Sequence, residues 1–313
     1  MTERGLVTTL SPTEIQGRID RAREINAQAP AEAVVADVAR LFELDPVPGV
    51  EDEFVFPALA TTARDRIFGG QVIAQAMIAA ARTVETGKTV HSLHAYFLRG
   101  GDETKPLHFR VHRDFDGRSF ANRRVVVRQD GKVIFNLTAS FQRPTPGLAH
   151  QVPMPDLLPP EACADFLETI AADPSVSEEA FDHIARRRAF ELRNHRPLGA
   201  TQHYQWLRVA APVGDDPLIH RAFLAFASDM GLLSSAMLPH GLNWSTPGLF
   251  STSLDHAMWF HDDIRVDDWF VYVMDSDWSG ASRGLNRGSI YRRDGTLIAS
   301  AVQEGLLRLA PQG

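Results

Sequence analysis

The chain has 313 residues, is 44% hydrophobic and 23% charged, and carries a net charge of −7 with a pI near 5.9. That length gives one large domain or two of about 100–150 residues, each able to bury its own core. The acidic balance advertises no surface for nucleic acid or for an anionic membrane, though it leaves room for a local arginine patch around a small phosphorylated ligand.

One cysteine, Cys163 in "PPEACADF", excludes an intramolecular disulfide and reads as an inert thiol in a reducing compartment. The N-terminus is charged and has no apolar signal run, no stretch reaches the ~20 apolar residues of a membrane span, and "LAPQG" is no Ser-Lys-Leu address. The expected location is the cytoplasm.

Residues 1–50 read as a helical leader. In "SPTE", Ser11 is the N-cap, Pro12 the first helical residue and Glu14 the closing member of a capping box, and a second helix covers "AEAVVADVARLFEL". A first domain spans 51–143. Its Ala-rich "GGQVIAQAMIAAARTV" (69–84) is apolar all round, as a helix buried on most sides must be. Strands follow at 90–98, 107–115, 119–129 and 132–142, punctuated by Asp-Gly turns at 116–117 and 130–131.

Proline then crowds the stretch from 142 to 160, and 144–190 reads as an extended linker with a connector helix whose arginine run, "HIARRRAFE", lies on a solvated face. The second domain, 191–310, repeats the first pattern. A strand at 202–210 precedes a long apolar helix at 218–236 and four strands, "LFSTSLDHAMWF", "DWFVYVMDSDW", "SRGLNRGSIYRR" and "TLIASAVQEGLLR". Asp130-Gly131 matches Asp294-Gly295, a period of roughly 164 residues that signals a duplicated domain. A helix wrapped by an antiparallel sheet, used twice, is an α+β double hotdog: two tandem helix-wrapped sheets joined by a Pro-rich linker, able to pair edge to edge.

Polar residues inside these apolar elements are the candidates for chemistry. Asp229 stands in the apolar helix "AFLAFASDMGLLSS", where a carboxylate is costly without hydrogen-bonding partners. Period-two alternation puts Ser253 and Asp255 on one strand face, and Gln303 lies in an otherwise apolar strand. Each also has an ordinary reading, as a solvated Asp or a Gln bonded to backbone. The chain has no Gly-x-Ser-x-Gly elbow, no metal-ligand spacing and no phosphate- or dinucleotide-binding loop, so no cofactor or metal is expected.

"RIFGGQVIAQAM", "HSLHAYFLRGGDETKP", "DFDGRSFANRRV", "SLDHAMWFH" and "ASAVQEGL" together resemble acyl-CoA thioesterase II, the double-hotdog thioesterases of bacteria and peroxisomes, over about residues 35–310. The resemblance implies an acyl-CoA substrate, hydrolysis to fatty acid and CoA, and a homo-oligomer, dimer or tetramer. It also implies a catalytic set that falls on Asp229 as general base with Ser253 and Gln303 as positioning groups.

Asp255 is expected to support the site by bonding His256 or a neighbouring strand, and His256 is the alternative base. Arg99, Arg118, Arg123 and Arg124 are candidates for the CoA phosphates. The first-half helix offers only Gln71 and Gln75 where the second has Asp229, so one site per chain is expected. A hotdog hydratase using an Asp-His pair, and a non-catalytic acyl-CoA binder, are the competing readings.

Overall fold

The computed structural model describes residues 9–59, 66–174, 176–185, 188–195, 201–244 and 246–310. The first part of the chain forms α1 (Pro12–Ala27), α2 (Ala31–Arg40), β1 (Asp45–Pro46), β2 (Glu53–Phe56), α3 (Gly69–Ala81), β3 (Thr89–Phe97), β4 (Leu107–Asp116), β5 (Phe120–Gln129) and β6 (Lys132–Gln142). The connector holds β7 (Ala164–Asp165), α4 (Phe166–Ala171) and α5 (Glu178–Ala185). There follow β8 (Phe190–His195), β9 (His203–Val209), α6 (Pro217–Ser228), β10 (Leu249–Ser253), β11 (Asp255–Phe260), β12 (Phe270–Gly280), β13 (Arg283–Arg292) and β14 (Leu297–Leu309).

The strands form one sheet in the order β1-β2-β4-β5-β6-β3-β11-β14-β13-β12-β9-β8-β7, with β10 pairing β14. The two helix-and-meander halves meet antiparallel at β3 and β11, Asp255 opposite Tyr96 and Trp259 opposite Ser92, which removes the edge each half would otherwise expose. This is the double hotdog fold. The matched Asp-Gly turns at 130–131 and 294–295 are not identical. Asp130 and Gly131 both have positive φ (49° and 74°), a two-residue loop whose twist suits the hairpin, whereas Arg292 N–H closes on Thr296 O around a longer loop with only Gly295 left-handed.

Helices α3 and α6 lie against one another on one face of the sheet. Every residue from Gly70 to Ala80 is buried, the reason this helix is apolar all round. The helices approach so closely that a Cβ on Gly70 would stand 2.3 Å from Phe226 O. The second helix is shorter than its apolar run predicts: it ends at Ser228, Gly231 turns left-handed (φ 80°), and a 3₁₀ helix, Leu232–Ala236, follows. The run 217–240 does have the length and apolarity of a membrane span, contrary to the sequence expectation, but most of that window is buried as the core of this fold.

The leader is capped as its sequence predicts: Ser11 Oγ accepts from Glu14 N–H, and Glu14 Oε2 accepts from Ser11 N–H (2.7 Å). Helix α1 packs on α4 and α5 around Ala22, Ala171 and Phe181, pinned by the buried Arg18 guanidinium, which donates to the carbonyls of Ala171, Asp173 and Val176. The α2 segment joins the main core, where Phe42 meets Phe223 edge-on.

The linker is not free. Met154 and Leu157 pack with Tyr204, Trp206, Val271 and Val273 on the sheet face opposite α6, and Trp206 Nε1 donates to Leu158 O (2.8 Å). Cys163 sits in this cluster, its thiol pushed up by burial. Both faces of β12 are therefore covered, and "FVYVM" reads as a continuous apolar run. The connector departs from its helical reading. Helix α5 is described to Ala185 and Phe190 already lies in β8, while Arg186 and Arg187 lie outside the described residues.

Candidate active site

Asp229 is the C-cap of α6, not a helix-interior residue. Its carboxylate stands at the negative end of its own helix dipole and faces the positive end of α3, which runs the other way. Three elements hold it. Gly70 N–H, in the first turn of α3, donates to Oδ2 (3.0 Å), Ser253 Oγ donates to Oδ1 (3.3 Å) from the end of β10, and Gln303 Nε2 donates to Oδ1 (2.5 Å) from β14. The structure thus brings together the three residues named from sequence and adds a backbone amide from the opposite half, which side-chain reasoning has no means to find. The Gly69-Gly70 pair opening an Ala-rich helix was its only sequence signal.

Burial and hydrogen bonding act on this carboxyl in opposite directions. Desolvation raises its pKa, the bonds from Gln303, Gly70 and Ser253 lower it, and burial wins, leaving it at about 6. Beside it, fully buried His256 is pushed down to about 4 by desolvation and is neutral at physiological pH. Its Nε2 lies 2.9 Å from Ser228 Oγ and its Nδ1 3.2 Å from Gln303 Nε2. Tyr272 closes the group, its hydroxyl donating to Ser228 O (2.9 Å).

The strand "SLDHAMWFH" does not keep one alternation. It breaks at Leu254, whose N–H donates to Glu304 O while its carbonyl accepts from Phe97 N–H. As a result Ser253 and His256 both turn toward α6, and Asp255 turns away to accept from Glu304 N–H (2.7 Å), so Ser253 and Asp255 do not share a working face. Asp255 ties two strands together and does not bond His256. His261 bonds Ser300 at the far end of the strand.

A cavity of about 280 Å³ opens beside Ser253 and Gly69, with Val72, Phe97, Ile134 and Phe135 as its apolar wall. Exposed Arg66 and Arg99 also line it. A larger cavity of about 600 Å³ at the start of α6 contains none of the candidate residues, and its Arg265 and Arg292 are paired with Asp215 and Asp262. Chemistry, not size, therefore selects the smaller one.

Of the other arginine candidates, Arg118 sits exposed in the β4–β5 turn and Arg124 pairs with Asp114 on an exposed strand face. Neither is brought to Asp229. Buried Arg123 donates to Thr83 and Asp116 beyond the C-terminal end of α3, while Asp229 faces its N-terminal end. Arg123→Ala is expected to cost about 2–3 kcal/mol by stranding these acceptors, while KM for a phosphorylated substrate stays unchanged; thermal melts beside steady-state kinetics check both.

Among the described residues, the first half has no matching polar set. The C-cap of α3 is Arg82, bonded to Leu44 O, and Leu93, Ala95, Leu137 and Ala139 are buried apolar residues of the core.

The family described as acyl-CoA thioesterase matches residues 178–306, and a second family, described as acyl-CoA thioesterase N-terminal domain, matches residues 57–142. The chain is 39% identical to acyl-coenzyme A thioesterase 8 of Homo sapiens over 263 residues, covering 79% of this chain and 82% of the human protein. The chain belongs to the acyl-CoA thioesterase II family. Acyl-CoA thioesterase 2 of Haemophilus influenzae is 33% identical to this family member over 255 residues, covering 78% of this chain and 88% of its own. Among solved structures, the acyl-CoA thioesterase II TesB2 of Mycobacterium marinum superposes with a TM-score of 0.73 at 34% identity, covering 88% of this chain and 98% of its own.

Proposed function

We propose that the protein hydrolyses acyl-CoA thioesters to fatty acid and CoA, with Asp229 as the general base. The observation that carries this reading is a single partly buried carboxylate, held by donors from three elements, beside a cavity with an apolar wall and exposed arginines. Water positioned against Asp229 attacks the thioester carbonyl as the carboxylate takes its proton. The carbonyl oxygen becomes an oxyanion near the start of α3, where backbone N–H groups and the dipole favour negative charge. Collapse breaks the C–S bond and the CoA thiolate recovers the proton. Ser253 and Gln303 hold carboxylate and water in line, and the exposed guanidinium groups of Arg66 and Arg99 on the cavity's rim support a contact with the nucleotide end of CoA.

The structure favours neither competitor. A hydratase would need an Asp-His pair facing substrate, but His256 is sealed from solvent and Asp255 bonds a strand amide. A passive binder would leave Asp229 remote from any cavity.

The sign of the pH dependence follows from the base. Asp229 must be ionised to accept a proton, so kcat/KM for a saturated acyl-CoA rises through about pH 6 and levels above it. CoA release from short- to long-chain acyl-CoAs tests the reading, and no turnover on any of them would overturn it.

A further inference from the structure

We infer that His256 is a positioning residue that acts through Gln303, using its neutral ring as a fixed acceptor to aim the Gln303 amide nitrogen at Asp229. The inference rests on the proposed role of Asp229, and its starting point is a chain of hydrogen bonds that leaves one self-consistent arrangement of protons. Ser228 Oγ donates to Ala225 O (2.8 Å), so toward the imidazole it is an acceptor. It therefore receives the His256 Nε2–H at 2.9 Å. With its proton on Nε2, His256 presents a bare Nδ1, which accepts from Gln303 Nε2 at 3.2 Å. The same amide nitrogen uses its other hydrogen on Asp229 Oδ1 at 2.5 Å. Both hydrogens of the amide are committed.

The opposite orientation of Gln303 would set its carbonyl oxygen against two acceptors at once, the Asp229 carboxylate and the bare Nδ1 of His256. The chosen orientation has a cost of its own: Gln303 Oε1 is buried with no hydrogen-bond partner among the described residues. A buried amide that leaves its oxygen unpaired so that its nitrogen can face a carboxylate is held there by its neighbours, and the Nδ1 lone pair of His256 is the neighbour that holds it.

Asp229 alone repels the wrong orientation only while ionised. His256 keeps the amide aimed through the protonated half of the cycle as well, after the base has taken the proton from water. Among the described residues the first half shows no such device, its helix-facing strand residues being Leu93, Ala95, Leu137 and Ala139.

The groups around His256 are few. From α6 come Ser228 and Asp229, from β14 Gln303, and from β12 the hydroxyl of Tyr272, which bonds Ser228 O and is itself held protonated by burial. From β10 comes Ser253 on Asp229. Asp255, its sequence neighbour, is turned to Glu304 N–H.

Two measurements test this. In wild-type protein with ¹⁵N-labelled histidine, the His256 signals should show a protonated Nε2 and a bare Nδ1, unchanged from about pH 8 to about pH 5. A proton on Nδ1, or titration near the ordinary value of about 6.5, would overturn the assignment.

The second is a set of acyl-CoA hydrolysis assays with His256→Asn, whose amide oxygen keeps an acceptor at the Nδ1 position, and His256→Leu, which removes it at similar volume. His256→Leu should lose about 10²-fold in kcat with KM little changed and its acid limb moved above that of the wild type, because the Gln303 bond that lowers the Asp229 pKa is no longer enforced. His256→Asn should recover most of the rate. Adding His256→Leu to Gln303→Ala should cost nothing further.

Equal losses in the Asn and Leu variants, an unmoved acid limb, or additive losses in the double variant would each overturn the proposal. If His256→Leu fails to fold, the wild-type nitrogen signals and the Asn variant still decide. Asp229→Asn, assayed alongside, separates the two inferences: full activity there would remove Asp229 as base, whatever the His256 variants show.

Discussion

Asp229→Asn should lower kcat for acyl-CoA hydrolysis by about a thousandfold while the melting temperature at pH 7 holds. The loss in rate is that of a general base, typically ~10²–10⁴-fold, since the amide is nearly isosteric but accepts no proton. The stability follows from the sign of the pKa shift. The carboxyl titrates at about 6 in the fold against about 3.9 when unfolded, so the native state holds the proton more tightly. The penalty for ionising it is absent below about pH 4, grows between about pH 4 and 6, and is complete at pH 7, where it amounts to about 3 kcal/mol at most. Asparagine removes that penalty, which is already net of the bonds from Gln303, Gly70 and Ser253, but turns its NH2 against one of those donors and leaves it unpaired, at about 1–3 kcal/mol. The two offset. Calorimetric melts at pH 5 and pH 7 beside steady-state kinetics check the prediction, and a rate loss matched by a collapse in melting temperature would contradict it.

The glycine pair at the start of α3 should separate activity from stability. A Cβ at Gly70 would lie 2.3 Å from Phe226 O, a backbone atom of α6 that cannot step aside, so Gly70→Ala must part the helices. It is expected to cost about 3 kcal/mol and to lower the rate as the amide leaves Asp229. A Cβ at Gly69 would meet Asp229 Oδ2 at 2.6 Å and the Phe97 ring at 3.0 Å, both side-chain atoms. Here the carboxylate gives way. Gly69→Ala should keep most of the stability and lose about 10²-fold in kcat, since Asp229 is pushed off Ser253 and Gln303. Gly17→Ala, with nothing within 4 Å, is the control for both melts and rates.

Much of this architecture is legible in the chain because its signals are local. Alternation within single strands and three Asp-Gly turns give the meanders, and an alanine run gives a helix buried between sheet and partner. β2, at four residues, is too short for periodicity to stand out, and β8 follows arginines that suit an exposed helix equally well. Apolarity does not mark where α6 stops, because the 3₁₀ turn after Gly231 is as apolar as the helix before it. Asp229 therefore reads as helix interior when it is a cap. The site itself was half visible: its side chains could be named as polar residues in apolar elements, but alternation misled at Leu254, where one residue bonded to two strands resets the faces. Guanidinium groups are the least legible of all. Arg123 and Arg124 are neighbours in one strand, yet the first is a buried tie and the second a solvated ion pair.

The bond between Gly70 and Asp229 joins residues 159 apart, and the seam that supports it pairs β3 with β11 across a similar stretch of chain. Closing so long a loop is entropically slow, and nothing local rewards it before both meanders exist. The chemistry is therefore a late product of folding. Either half could acquire its helix and hairpins while the carboxylate still lacked the amide that faces it, so a nascent chain passes through well-structured states that do no chemistry. Competence arrives only when the last long-range contact is made.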